Sequence, residues 1–153
     1  MQENIQNTDV KMNDVTVFVK SVQENSDQVS DGIEFFAAGS YYLKNGVKYI
    51  RYTEQGEGME QINTTVKVEG DERVTVMRHG PQQYRLVLSK GERQHSLYKT
   101  EFGEILLGVS GTKIKSELNE EGGTLHLEYL LDVNNAVISR NTLDISVNGL
   151  TGN

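Results

Sequence analysis

The stretch Gly39-Ser-Tyr-Tyr-Leu-Lys-Asn-Gly-Val-Lys-Tyr-Ile-Arg-Tyr-Thr-Glu54 sets an Asn-Gly pair between two segments in which side-chain character alternates. Asn45-Gly46 can supply the two positive φ angles of a type I′ turn, so the stretch reads as a β-hairpin. Counting outward from that turn pairs Lys44 with Val47, Tyr41 with Ile50, Gly39 with Tyr52 and Ala37 with Glu54.

The two-residue period recurs along the chain, in Val15, Val17 and Val19, then in Ile33, Phe35, Ala37, Gly39 and Tyr41. Further strands are predicted at Val47–Glu54, Asn63–Glu69, Arg73–His79, Tyr84–Ser89, Gln94–Thr100, Phe102–Ile114, Leu125–Val133 and Val137–Val147. Helical signals are nearly absent, and one proline and fifteen glycines fall mostly between the alternating segments. Such a meander removes its exposed edges by closing on itself, so the expected fold class is all-β, an antiparallel meander barrel of about 8–10 strands. A two-sheet sandwich is the competing architecture, but it would call for longer crossovers. The barrel is expected over residues 14–149 as a single domain, after a flexible polar tail at 1–13.

A chain of 153 residues can bury roughly 70% of its unfolded surface without covalent staples. Having no cysteine, it has no disulfide and no thiolate chemistry. Met1 to Asn13 shows no apolar segment after a basic start, and nothing approaches the roughly 20 apolar residues of a membrane span. A cytoplasmic protein with no membrane partner is therefore expected. The formal net charge of −7, with both signs interspersed, speaks against nucleic acid as a partner.

Two more turns place a candidate site. Gly70-Asp71-Glu72 as a three-residue turn sets Val68 opposite Val74, Val66 opposite Val76 and Thr64 opposite Arg78. Across the Gln55–Gln61 loop, matching apolar faces sets Ile50 beside Val68, Tyr52 beside Val66 and Glu54 beside Thr64. Glu54, Thr64 and Arg78 then share an inward layer near one barrel end, where the small Ala37 and Gly39 leave space. An inward carboxylate and guanidinium must be paired or hydrogen-bonded. The pair is either a structural salt bridge or a pocket in which Arg78 binds an anionic group, Glu54 orients it and Tyr52 forms a wall.

The segments Gly39-x-Tyr41-Tyr42, Tyr49-x-x-Tyr52-x-Glu54, Thr64-x-x-Lys67-Val68, Val76-Met77-Arg78-x-Gly80, Tyr98-x-x-x-Phe102-Gly103 and Gly123-x-Leu125 follow in an order that resembles the YwiB-like proteins. These are small bacterial proteins classed as a domain of unknown function with a lipocalin-like (calycin) barrel. The resemblance runs from Val15 onward. It implies a closed or nearly closed meander barrel and, by analogy of fold, a small apolar or amphipathic ligand inside it. It supplies no catalytic residue.

Other motifs carry little chemistry. His79, His95 and His126 stand far apart, and His126 shares a solvent-facing side of its strand with Glu128, so no metal site is expected. Gly108-Val109-Ser110-Gly111 lacks the spacing of a nucleophile elbow, and its glycines suit a bulge or bend. Glu120-Glu121 reads as a solvated turn. No nucleophile, metal or cofactor motif supports an enzyme, and no cofactor is expected.

The leading expectation is a ligand-binding barrel using Tyr52, Glu54, Thr64 and Arg78, with Tyr98 and Phe102 as apolar walls and a cavity of at least roughly 300 Å³ open to solvent. The alternative is a protein-interaction module with a filled interior, working through an outer face that bears Phe36, Tyr42 and Tyr49. A leftover strand edge would also allow a homodimer.

Overall fold

The computed structural model describes residues 10–25, 28–29 and 32–149. Eleven strands follow one another: β1 Val10–Asn25, β2 Gln28–Val29, β3 Ile33–Lys44, β4 Val47–Glu54, β5 Ile62–Glu69, β6 Arg73–His79, β7 Tyr84–Ser89, β8 Arg93–Thr100, β9 Gly103–Asn119, β10 Gly122–Val133 and β11 Ala136–Gly149. Pairing runs β7-β6-β5-β4-β3-β1-β11-β10-β9-β8, with the two-residue β2 appended to β1. Apart from that appendage this is a ten-strand antiparallel meander. Its first and last strands are zipped together by the β1–β11 ladder, from Val15–Gly149 to Glu24–Arg140.

The meander is a nearly closed barrel whose remaining seam lies between β7 and β8. Gln83 and Lys99 exchange both backbone hydrogen bonds at 2.9 Å, closing one end of that seam. Midway, the Ser96 hydroxyl donates to the Arg85 carbonyl at 2.6 Å, a side chain standing in for a ladder bond. Toward the opposite end β9 takes over. Lys90 bridges Gly111 in parallel fashion, and the Asp71 carboxylate accepts the Ser116 amide at 3.0 Å. Gly111 packs against β7 here, where a Cβ would just reach van der Waals contact, 3.4 Å from Leu88 Cβ and from the Ser89 carbonyl oxygen. Thr112 is the extra residue beside it, where the β9–β10 register shifts. The bulge expected among these glycines is therefore present.

The inward face divides into two chemistries along the barrel. Toward the Asn45-Gly46 end, Val15, Val17, Tyr41, Ile50, Val66, Val68, Val74, Leu88, Val109, Leu125, Leu127 and Ile145 are all at most 1% exposed. Side chains fill this half. Tyr41 spans it, its hydroxyl donating to the Asn119 carbonyl at 2.6 Å, and burial pushes its phenol up to about 12. Toward the other end the inward residues turn polar: Thr64, Ser96, Ser139 and Asn141 are buried there.

The counted turns give the observed registers. Asn45 and Gly46 have φ of 55° and 81°, and Lys44–Val47, Tyr41–Ile50 and Gly39–Tyr52 pair as expected. Thr64–Arg78, Val66–Val76 and Val68–Val74 also pair. The β3–β4 ladder ends at Gly39–Tyr52, so Ala37 and Glu54 are not a pair.

The β4–β5 register differs by two residues from the expectation, with Ile50 opposite Val66, Tyr52 opposite Thr64 and Glu54 opposite Ile62. A two-residue slip keeps every side chain on its face, so apolar matching could not detect it. Ile62 decides the register. It is 7% exposed opposite Glu54, whereas the expected register would carry it past the end of β4 and forgo roughly 1.5–3 kcal/mol of burial.

Two more boundaries move. The hairpin expected over Glu117–Gly123 tightens to Glu120-Glu121, with Gly122 and Gly123 inside β10. Strand β1 begins at Val10 and pairs with β3 there before a register shift between Met12 and Val15. Residues 1–9 of the expected tail lie outside the described residues.

Candidate functional site

At the polar end a row of inward residues crosses five strands in register: Gly39, Tyr52, Thr64, Arg78 and Tyr84. Tyr98 extends the row over the seam, its ring stacked on Tyr84 at a centroid distance of 5.6 Å and 13°. The Tyr98 hydroxyl donates to Gln82 Oε1 at 2.9 Å.

Tyr52 faces Gly39 on one side and Thr64 on the other. Phe35 lies against it with ring centroids 6.1 Å apart. Desolvation raises its phenol well above the ordinary tyrosine value. Tyr129 of β10 is raised for the same reason, with smaller contributions from Tyr84 and Tyr52.

Arg78 is the ionic centre of this layer. Desolvation works against its charge, but its interactions with Tyr84, Glu54 and Tyr52 together outweigh that and hold the guanidinium protonated. The guanidinium carbon lies 6.0 Å from the Tyr84 ring centroid. Its Nε is shielded from solvent and has no acceptor among the described residues. Glu54 stands one pair further out, opposite Ile62. Among the described residues the ion pairs do not include one between Glu54 and Arg78. The closed salt bridge is thus not formed, and a buried cationic donor is left over, a group that costs about 1–3 kcal/mol or more when unsatisfied.

Of the six residues singled out from sequence, Tyr52, Thr64, Arg78 and Tyr98 share this end of the barrel, and Glu54 borders it. Phe102 does not belong to it. Its ring is 92% exposed at the tip of the β8–β9 turn, where its amide donates to Thr100 Oγ1 at 3.1 Å. The β9 strand begins at Gly103, so Phe102 is a turn residue with no inward face. Tyr84 and Tyr129 are the members that sequence reading missed. Tyr84 is the pair of Arg78 once the five residues His79–Gln83 are counted as their connection.

The opening at this end is a cleft of about 170 Å³ lined by Arg78, His79, Gln83, Tyr84, Arg85, Leu97 and Lys99. It is smaller than the expected cavity of roughly 300 Å³, because the polar row and the three tyrosines occupy the barrel end. A larger shallow trough of about 420 Å³ takes in Gly39, Tyr52 and Thr64 of the row together with the outward-facing Ser40, Arg51 and Thr53.

Comparison with known proteins places this architecture. Residues 17–145 match the family model for a domain of unknown function, DUF1934. The chain belongs to this family. A curated relative, the uncharacterized β-barrel protein YwiB of Bacillus subtilis strain 168, is 34% identical over 137 residues, covering 90% of this chain and 94% of the relative. The crystal structure of ywiB protein from Bacillus subtilis superposes with a TM-score of 0.78 at 30% identity, covering 95% of each chain. The resemblance drawn from the ordered segments is confirmed, as is the all-β barrel. The family brings no activity with it, so function rests on the site.

Two polar clusters lie outside this site, on the outer face. Arg93 holds Asp132 through Nε at 2.9 Å and Nη2 at 2.7 Å, strapping β8 to β10 over Gly108 of β9. A Cβ on Gly108 would stand 2.5 Å from both of those arginine nitrogens. His126 lies between Asp144, across the ladder, and Glu128 on its own strand at 2.7 Å. The hydrogen bond to Glu128, then the one to Asp144, raises the imidazole above its usual range.

Proposed function

We propose that the protein is a non-catalytic binding barrel whose recognition end is the row Tyr52, Thr64, Arg78 and Tyr84, and that its ligand carries a negative charge. The observation that carries this reading is the shielded Arg78 Nε with no acceptor among the described residues. Evolving a core does not require a guanidinium there, since apolar replacements of buried ions are often neutral or stabilising. An anionic oxygen would satisfy the orphan donor, and the guanidinium carbon already lies 6.0 Å from the Tyr84 ring centroid. The apolar half of the barrel serves as a rigid base, so the ligand is held at the mouth and does not run down a lumen.

Native mass spectrometry of gently purified protein, compared with its denatured mass, tests this. A reproducible extra mass that Arg78→Met abolishes, with the fold retained, supports it. A bare chain together with a large loss of stability in Arg78→Met returns the residue to a structural role.

A second reading, docking of a partner protein on the outer face, is favoured by Phe36, whose ring is 72% exposed beside Phe18 at 4.7 Å. The stacked Tyr42 and Tyr49 lie on the same side.

A further inference from the structure

The β7–β8 seam is where the inner and outer faces of the wall meet. Elsewhere a continuous ladder separates the two faces. Here Gln83 and Lys99 make a backbone bridge at one end and Ser89 and Glu92 another at the turn, and between them the Arg85 carbonyl is held by the Ser96 side chain. The cleft at this point is lined by inward residues, Arg78 and Tyr84, and by outward ones, His79, Arg85, Leu97 and Lys99. Three cationic side chains and an imidazole converge on it, and no carboxylate is among its lining residues.

Acids border it from outside its lining. Glu54 acts on Arg78 from the inner face, and Glu104 is the ladder partner of Lys99 across β8–β9. Such a concentration of positive charge within a chain of net charge −7 is a local feature, and at physiological salt a screening length of about 8 Å leaves the local field in control.

We propose that this seam cleft binds a phosphoryl group, with Arg78 and Arg85 as forked donors and Lys99 as a third charge. This rests on the binding reading above and names its ligand class. A volume of about 170 Å³ suits a compact tetrahedral oxyanion and leaves an acyl chain outside. Arginine forks and a lysine point charge are the side chains that phosphate oxygens select. Leu97, 42% exposed at the rim, and the Tyr84 ring give an apolar surface for an organic substituent. The same chemistry admits free phosphate or a small phosphomonoester, and the substituent separates them.

The test is a titration of ¹⁵N-labelled full chain with sodium phosphate and with phenyl phosphate, at constant pH, against sodium chloride of matched ionic strength. Saturable amide shifts are expected at Arg78, His79, Tyr84, Arg85, Leu97 and Lys99. Lys99→Gln and Arg85→Gln, both at exposed positions, should keep the fold and each weaken binding about tenfold. Tighter binding of phenyl phosphate identifies a phosphomonoester site, and equal binding a free-phosphate site. Shifts reproduced by chloride, scattered over the surface, or unchanged in both variants overturn the proposal. If phosphate fails while the gently purified chain carries a mass that Arg78→Met removes, the binding reading stands with another anion. If phosphate fails and the chain is bare, both fall.

Discussion

Raising the pH should unfold this barrel through its buried phenols. Tyr41, fully buried, has its phenol pushed up to about 12 by burial, while an unfolded tyrosine titrates near 10. A group whose folded pKa is raised stabilises the fold fully below its unfolded pKa, and that contribution is lost as pH climbs toward the folded value. At pH 11 the unfolded phenol is about ten-elevenths ionised and the folded one about one-tenth, so Tyr41 alone removes about 1 kcal/mol relative to neutral pH. Tyr52 and Tyr129, raised by the same desolvation, add losses of the same sign. Against a total stability of roughly 5–15 kcal/mol the sum is large. Tyrosinate absorbance near 295 nm and far-ultraviolet circular dichroism, followed together above pH 9, should show a late absorbance phase that coincides with loss of sheet signal. Tyr41→Phe sharpens the test. It loses the Asn119 hydrogen bond, about 0.5–1.5 kcal/mol at pH 7, and should fall less steeply above pH 10, so its stability curve converges on that of the unmutated protein. Parallel curves, or complete tyrosine ionisation before any loss of sheet signal, would refute the reasoning.

His126 should titrate above the ordinary histidine value in a proton NMR pH series. Its favourable charged contacts are complete below about pH 6.5 and fade as pH rises through the raised folded value, whereas the Glu128 contribution, from a carboxylate held low by His126, is lost as pH falls. Asp144→Asn should bring the His126 midpoint down; an unchanged midpoint would remove Asp144 from the account. Leu127→Ala, at a position with no exposure, should cost about 2–5 kcal/mol by denaturant unfolding, and a loss under about 1 kcal/mol would mean that this half of the barrel is loosely filled.

What the sequence made legible was sidedness, and register where turn residues can be counted. Asn45-Gly46 and Gly70-Asp71-Glu72 each bring their flanking strands into one pairing, and Thr64 and Arg78 meet as read. The Gln55–Gln61 loop has no such constraint, and Glu54 was displaced by the one error that leaves every face unchanged. Phe102 failed differently: alternation extended through a turn reads the same as alternation within a strand. The seam was invisible because Tyr84–Ser89 and Gln94–Thr100 look like ordinary neighbours, and only their three-dimensional spacing puts Ser96 where a ladder bond would be. The orphan Arg78 Nε depends on atomic packing that no residue pattern encodes.

The β1–β11 ladder has a consequence for how the chain acquires its shape during synthesis. Strand β1 is made more than a hundred residues before its central partner β11, the two pairing from Val15–Gly149 to Glu24–Arg140. Until β11 leaves the ribosome, β1 has only its β3 side covered, and the outgrowing meander is an open sheet with a bare hydrogen-bonding edge. Contacts of such sequence separation slow folding to the millisecond-to-second range typical of barrels. The nascent chain therefore spends most of its synthesis time as an unclosed sheet, the period in which chaperone protection of that edge matters most.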